Sequence, residues 1–214
     1  MSTIHWETIS PTMREIMKVF GKNQIADHFY LAGGSALALQ IGHRRSIDLD
    51  FFSPDLDIPS VAEPLRASLE KYSPMLADSS WGNLVFVADQ VRIGFYGYGH
   101  PLIELCVQAE GVSLASLTDI GLMKLDALLA RASRKDFHDL YAICQRLSLR
   151  SLLDTAQQKF SHMRDFEAQA VRHLVYFERA EQEAPVPLIE EVSWSRVKEF
   201  FQNRAKELGT SWLE

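Results

Sequence analysis

Two short motifs between Phe29 and Phe52 restrict the fold more than any other part of the chain. Phe29-Tyr30-Leu31-Ala32 is a brief apolar run that enters Gly33-Gly34, and Ser35-Ala36-Leu37-Ala38-Leu39-Gln40 has helix-forming composition. The segment therefore reads as strand, tight turn and helix. Ile47-Asp48-Leu49-Asp50-Phe51-Phe52 then alternates: on a strand, Ile47, Leu49 and Phe51 point one way while Asp48, Asp50 and Phe52 point the other. Two carboxylates thus share one strand face. Crowding them there costs free energy, because like charges repel and each loses hydration, so a counter-charge is required. A hard divalent cation, Mg²⁺ or Mn²⁺, fits this need. It takes oxygen ligands, keeps several waters and completes its shell with substrate phosphates, which makes a nucleoside triphosphate the expected co-ligand. An arginine, for example Arg44 or Arg45, is the alternative partner.

The glycine turn bears on that choice. Glycines let the backbone approach a ligand closely, and the helix N-terminus behind them offers N–H groups to phosphate. Ser35 either caps its helix or donates its hydroxyl to a phosphate oxygen. Alone, Gly33-Gly34-Ser35 is a weak signal; followed 13 residues after Ser35 by an Asp-x-Asp strand, it is a much stronger one.

Around these motifs the periodicity changes along the chain. Met13, Ile16, Met17 and Phe20 recur at helical spacing from Pro11 to Phe20, with Gly21 as the stop. A loop over 54–59 precedes a helical pattern over 61–72. Leu84–Val87 and Val91–Tyr96 flank Ala88-Asp89-Gln90 as a hairpin, and Ile103–Val107 reads as a further strand. From Ser113 onward the pattern is helical, over roughly 116–132, 135–147, 149–160 and 165–182. After Pro185 and Pro187 a last amphipathic helix carries Trp194, Val197, Phe201 and Leu208 on one stripe.

Composition narrows the function class. With 214 residues, 47% of them hydrophobic, the chain has apolar material for one large domain or two small ones. The net charge of −6 argues against a protein that coats nucleic acid nonspecifically, while leaving local basic clusters at His43-Arg44-Arg45 and Arg131 to Lys135. No run of 18 apolar residues occurs, and His5, Glu7 and Arg14 interrupt the opening segment, so a cytoplasmic protein without membrane association is expected. Cys106 and Cys144 lack metal-site spacing and are expected as reduced core residues.

The run from Tyr30 to Leu39 and the run His43-Arg44-Arg45-Ser46-Ile47-Asp48-Leu49-Asp50-Phe51-Phe52 resemble the AbiEii toxin family of nucleotidyltransferases, within the DNA polymerase beta superfamily. Met123-Lys124-Leu125 and Lys135-Asp136-Phe137-His138-Asp139-Leu140-Tyr141 are similar to that family's lysine motif and later aspartate motif. The resemblance implies an α+β nucleotidyltransferase fold, a mixed sheet with helices followed by a C-terminal helical layer. It implies an α/β core over 1–112 and a helical region over 113–214 that completes the active site. Residue by residue it implies Gly33, Gly34 and Ser35 at the triphosphate, Asp48 and Asp50 on metal, Lys124 on phosphate charge and Asp139 in the active-site network. Lys124 and Arg131 fall on one helical face, as do Asp136 and Asp139, which adds Arg131 to the phosphate-binding set. The bland reading of the second motif is an exposed helix start, with Asp136 favourable to the helix dipole and Lys135 pairing with Asp139. Arg45, Lys135, Asp136 and Glu104 are accessory candidates.

One departure matters. The superfamily often holds a third carboxylate on a neighbouring strand, and Val91-Arg92-Ile93-Gly94-Phe95-Tyr96 offers none; Asp89 and Glu104 are the substitutes available in sequence. The expected reaction is transfer of a nucleotide from a nucleoside triphosphate to an RNA end such as tRNA, by a toxin with a separate, basic antitoxin partner. A catalytically silent nucleotide-binding module is the competing reading, and phosphotransfer or protein nucleotidylation on the same fold is a third.

Overall fold

The first α-helix has a clear start signal. The computed structural model describes residues 3–210. Ser10 accepts from the Met13 amide at 3.1 Å and Pro11 occupies the first turn of α1 (Pro11–Phe20), which buries Met13, Ile16, Met17 and Phe20 as the spacing requires. There follow β1 (Tyr30–Leu31), α2 (Gly33–Ile41), β2 (Asp48–Ser53), α3 (Ala62–Ser68), β3 (Met75–Asp78), β4 (Leu84–Ala88), β5 (Val91–Gly97), β6 (Val107–Ala109) and β7 (Val112–Leu114). The seven strands form one mixed sheet in the order β3-β4-β5-β2-β1-β7-β6. β2 runs parallel to β5 and β1 parallel to β7, and the other pairs are antiparallel.

Register follows from the alternation of β2. Leu49 and Phe51 are fully buried, opposite Ile93 and Phe95 of β5, and Phe51, Phe95 and Phe20 form a tight aromatic cluster with ring centroids 4.6–5.5 Å apart. A slip of one residue would turn the aspartates into this cluster, so the packing fixes which face they occupy.

Several sequence expectations need correction. The strand expected over 103–107 is displaced to Val107–Ala109: Leu105 is 94% exposed, so no buried face drives pairing there, and Glu104 lies in irregular chain. β7 extends the sheet past residue 112, and the two compact units divide after Ser116. β3 was hidden because all four of its residues are exposed; its pairing to β4 and not a hydrophobic period defines it. The helical pattern over 61–72 ends at Ser68, with a 3₁₀ turn at Glu70–Tyr72.

The second unit is helical: α4 (Leu117–Ala130), α5 (Arg134–Cys144), α6 (Leu149–Lys159), α7 (Phe166–His173), α8 (Glu178–Glu181) and α9 (Trp194–Thr210). The single helix expected over 165–182 is two, because the chain turns to place Phe177 against Phe137 at 5.0 Å, where Trp194 and Phe201 also meet it. Val197, Phe201 and Leu208 form the buried stripe of α9, and Trp194 is half-buried. Lys159 reaches Asp119 at 2.8 Å with both side chains fully buried, tying α6 to α4. Neither cysteine forms a disulfide among the described residues, and both are only partly buried, in place of the core positions expected; burial pushes the Cys144 thiol up to about 12. No helix among the described residues is long and apolar enough to cross a membrane.

Phe51→Ala should lower the unfolding free energy by about 3–5 kcal/mol, the usual cost of emptying a packed aromatic site, as measured by urea denaturation.

Candidate active site

The glycine turn and the acidic strand are stitched together by hydrogen bonds. The Ala32 amide donates to the Asp50 carbonyl at 3.1 Å, and the Ser35 hydroxyl donates to the Asp48 carbonyl while lying 2.8 Å from the Ser46 hydroxyl. Ser35 is therefore buried inside the first turn of α2 and does not cap it; Ala32 holds the cap position, and no side chain caps this helix. With the Ser35 proton given to a carbonyl, what the turn offers to an anion is its backbone N–H groups. Gly33 has φ +64°, a left-handed conformation that penalises any side chain, and a Cβ there would sit 3.7 Å from Asp50 Oδ2. Gly34 is needed for space: the buried Arg44 guanidinium packs where its Cβ would be. Arg44 also donates to the Arg45 carbonyl at 3.1 Å, and Arg45 itself is exposed.

The parallel register of β2 and β5 sets Asp48 beside Arg92, Asp50 beside Gly94 and Phe52 beside Tyr96 on one sheet face. Arg92 Nη1 lies 3.4 Å from Asp50 Oδ1, and Nη2 donates to the Tyr96 hydroxyl at 3.1 Å. Burial works against the Arg92 charge, but the hydrogen bond to Tyr96 and the attraction of Asp50 and Asp48 outweigh it and raise its pKa. Burial and the Asp50 charge raise the Tyr96 pKa, so the phenol is neutral. Arg92 is the site residue that sequence reading missed. The signal existed, since strand alternation puts Arg92, Gly94 and Tyr96 on one face, but the pairing partner and register had to be known.

Gly94 stands where β5 would carry a third acid. The Tyr96 ring folds over it so closely that a Cβ there would collide with the phenol. Asp89 is exposed in the β4–β5 turn and Glu104 is exposed in irregular chain; among the described residues no three His, Cys, Asp or Glu side chains converge as a metal site. The donor set that remains, two half-buried carboxylates beside a phosphate-receptive turn, fits a hard cation that draws its other ligands from water and substrate.

In the second unit Lys124, Asp136 and Asp139 meet in the interior. Lys124 Nζ is 2.6 Å from Asp139 and 2.9 Å from Asp136, and all three are buried. Arg131, just beyond α4, grips Asp136 with two nitrogens at 2.9 and 3.0 Å, and the Ser133 hydroxyl adds a bond at 2.6 Å. Burial alone would raise the Asp136 pKa; Lys124, Arg131 and Ser133 together hold it well below the usual carboxylate range. The exposed-helix-start reading is thereby overturned: Asp136 and Asp139 face inward, Lys135 is exposed, and Asp139 is paired with Lys124.

Comparison with known proteins agrees with this architecture. The structure is similar to MenT4, a nucleotidyltransferase toxin of Mycobacterium tuberculosis H37Rv, with TM-score 0.58, 14% identity and coverage of 91% of this chain and 80% of that one. It is also similar to a candidate nucleotidyltransferase from H. pylori, with TM-score 0.54, 18% identity and coverage of 94% of each chain. The fold is that of the nucleotidyltransferases. An uncharacterised protein of Aquifex aeolicus (strain VF5), aq_aa25, is 34% identical over 200 residues, covering 91% of this chain and 94% of the relative. Residues 15–80, which span the turn and the acidic strand, match the profile described as nucleotidyl transferase AbiEii toxin, type IV toxin–antitoxin system, and the chain belongs to that family.

Two outcomes follow for the buried cluster. Lys124→Met leaves buried carboxylates without their lysine and should cost about 3–5 kcal/mol of stability, read by urea denaturation. Because the folded Asp136 pKa is depressed, its stabilisation is present above the unfolded value of about 4 and is lost as pH falls below it. The stability gap between wild type and Asp136→Asn should therefore be widest near neutrality and narrow between about pH 4 and pH 2, measured by denaturation at each pH.

Proposed function

We propose that the chain transfers a nucleotide from a nucleoside triphosphate to the end of an RNA such as tRNA, and that it acts as the toxin of a toxin–antitoxin pair. The observation that carries this reading is the pair of carboxylates on one sheet face, hydrogen-bonded through their own strand to a Gly-Gly turn at a helix N-terminus. In the proposal Asp48 and Asp50 hold a divalent cation, Mg²⁺ or Mn²⁺, which when bound neutralises triphosphate charge and polarises the reacting phosphoryl group. The Gly33 and Gly34 amides orient the phosphates, and Ser35 keeps the turn fixed to β2. The family resemblance assigns Lys124 and Arg131 to phosphate charge and Asp139 to the active-site network; within its own unit Asp139 lies 2.6 Å from Lys124. The acceptor hydroxyl oxygen forms a bond to the α-phosphorus, the α–β phosphoanhydride bond breaks, pyrophosphate departs, and the hydroxyl proton goes to solvent. The family and the fold support transferase chemistry; the acceptor, the cation and an antitoxin with a basic surface complementary to this acidic chain are inferred.

One observation favours a silent nucleotide-binding module: the position of the third carboxylate is closed by Tyr96. A single experiment separates the two. Purified protein is incubated with Mg²⁺, each labelled nucleoside triphosphate in turn and total RNA, beside the Asp48→Ala/Asp50→Ala double variant. Label on an RNA band with wild type alone is the expected result and names the donor. Nucleotide binding without transfer to RNA or protein, from any of the triphosphates, would reject the enzyme.

A further inference from the structure

We propose that Arg92 makes the acidic face a one-cation site that accepts its metal together with nucleotide and resists metal alone; this rests on the reading of Asp48 and Asp50 as metal ligands. β5 lies directly beside β2, so an acid from β5 could join the pair from only two positions, those facing Asp48 and Asp50. The first is Arg92. The second is Gly94, whose side-chain space the Tyr96 ring fills. The neighbouring strand thus offers a fixed positive charge where a second cation would need an anionic ligand.

The Arg92 contact has the character of a replaceable counter-ion. At 3.4 Å it is longer than the 2.6 Å Lys124–Asp139 pair, and its side chain is 45% exposed while Lys124 is buried. Charge-assisted hydrogen bonds built for structure are shorter than this. The other guanidinium nitrogen is held by the Tyr96 hydroxyl, so Arg92 stays anchored at the rim when Asp50 turns to another partner. A bare divalent cation entering this face must displace a positive charge and then sit beside it. A metal–triphosphate complex carries net negative charge, so the same guanidinium attracts it. Arg92 therefore couples the two ligands, weakening one and strengthening the other through a single charge.

The test is Mn²⁺ binding to the full chain, read by electron paramagnetic resonance of the free ion, with and without a non-hydrolysable nucleoside triphosphate analogue. Arg92→Gln removes the charge and keeps a donor for Tyr96. It should tighten binding of Mn²⁺ alone roughly five- to tenfold, the effect of one charge a few ångströms away in a half-exposed site, and weaken the Mn²⁺–nucleotide complex. Arg92→Lys, which restores the charge, should return both affinities towards wild type, and wild type should bind one Mn²⁺ per chain with nucleotide. An Arg92→Gln affinity for Mn²⁺ alone within twofold of wild type, or two Mn²⁺ per wild-type chain, overturns the inference. Asp50→Asn distinguishes its failure from that of the underlying reading. If that variant binds Mn²⁺ as wild type does, the acidic pair is not a metal site; if it loses Mn²⁺ while Arg92→Gln behaves as wild type, only the role of Arg92 falls.

Discussion

The parallel pairing of β2 with β5 is the constraint on which the first unit depends. Leu49 and Phe51 of β2 enter a core with Phe20 and Phe95, and Asp48 and Asp50 are left on the opposite face together with Phe52. Hydrophobic burial thereby does electrostatic work: the free energy gained by packing Leu49 and Phe51 holds two like charges on one face. The same strand's carbonyls anchor the glycine turn through Ala32 and Ser35, so the turn is tied to the strand that carries the carboxylates. This is how a chain positions a polar site without relying on the site's own interactions for its shape.

The two units treat charge in opposite ways. In the first, Asp50 meets Arg92 at a half-exposed surface through a long contact of 3.4 Å. In the second, Lys124, Asp136 and Asp139 are removed from water and held at 2.6–2.9 Å, and Lys159 with Asp119 forms another fully buried pair. Buried pairs of this kind contribute little net stability compared with an apolar core, yet are costly to break by removing one partner. They tie α4 to α5 and to α6.

Much of this was legible in the sequence because it depends on local periodicity. The strand–turn–helix around Gly33, the alternation of β2 and the stripes of α1 and α9 are all encoded within a few residues of one another. What could not be read depends on partners far apart in the chain. β3 has no buried face, and Leu105 alternates as a strand residue does but has nothing to pack against. The helical pattern over 165–182 breaks because Phe177 is drawn to Phe137, a contact that no window around either residue contains. The acidic pair was visible, while its arginine was not, since Arg92 becomes a neighbour of Asp50 only through the register of two strands separated by α3 and a hairpin.

Tyr96 lying across Gly94 has a consequence for which side chains the two positions can carry. An aspartate at position 94 would collide with the phenol before it could bind anything, and shrinking Tyr96 alone would open a gap beside Phe52 and release Arg92 from its hydroxyl. Positions 94 and 96 therefore constrain each other in size: a side chain added at 94 is met first by the Tyr96 ring.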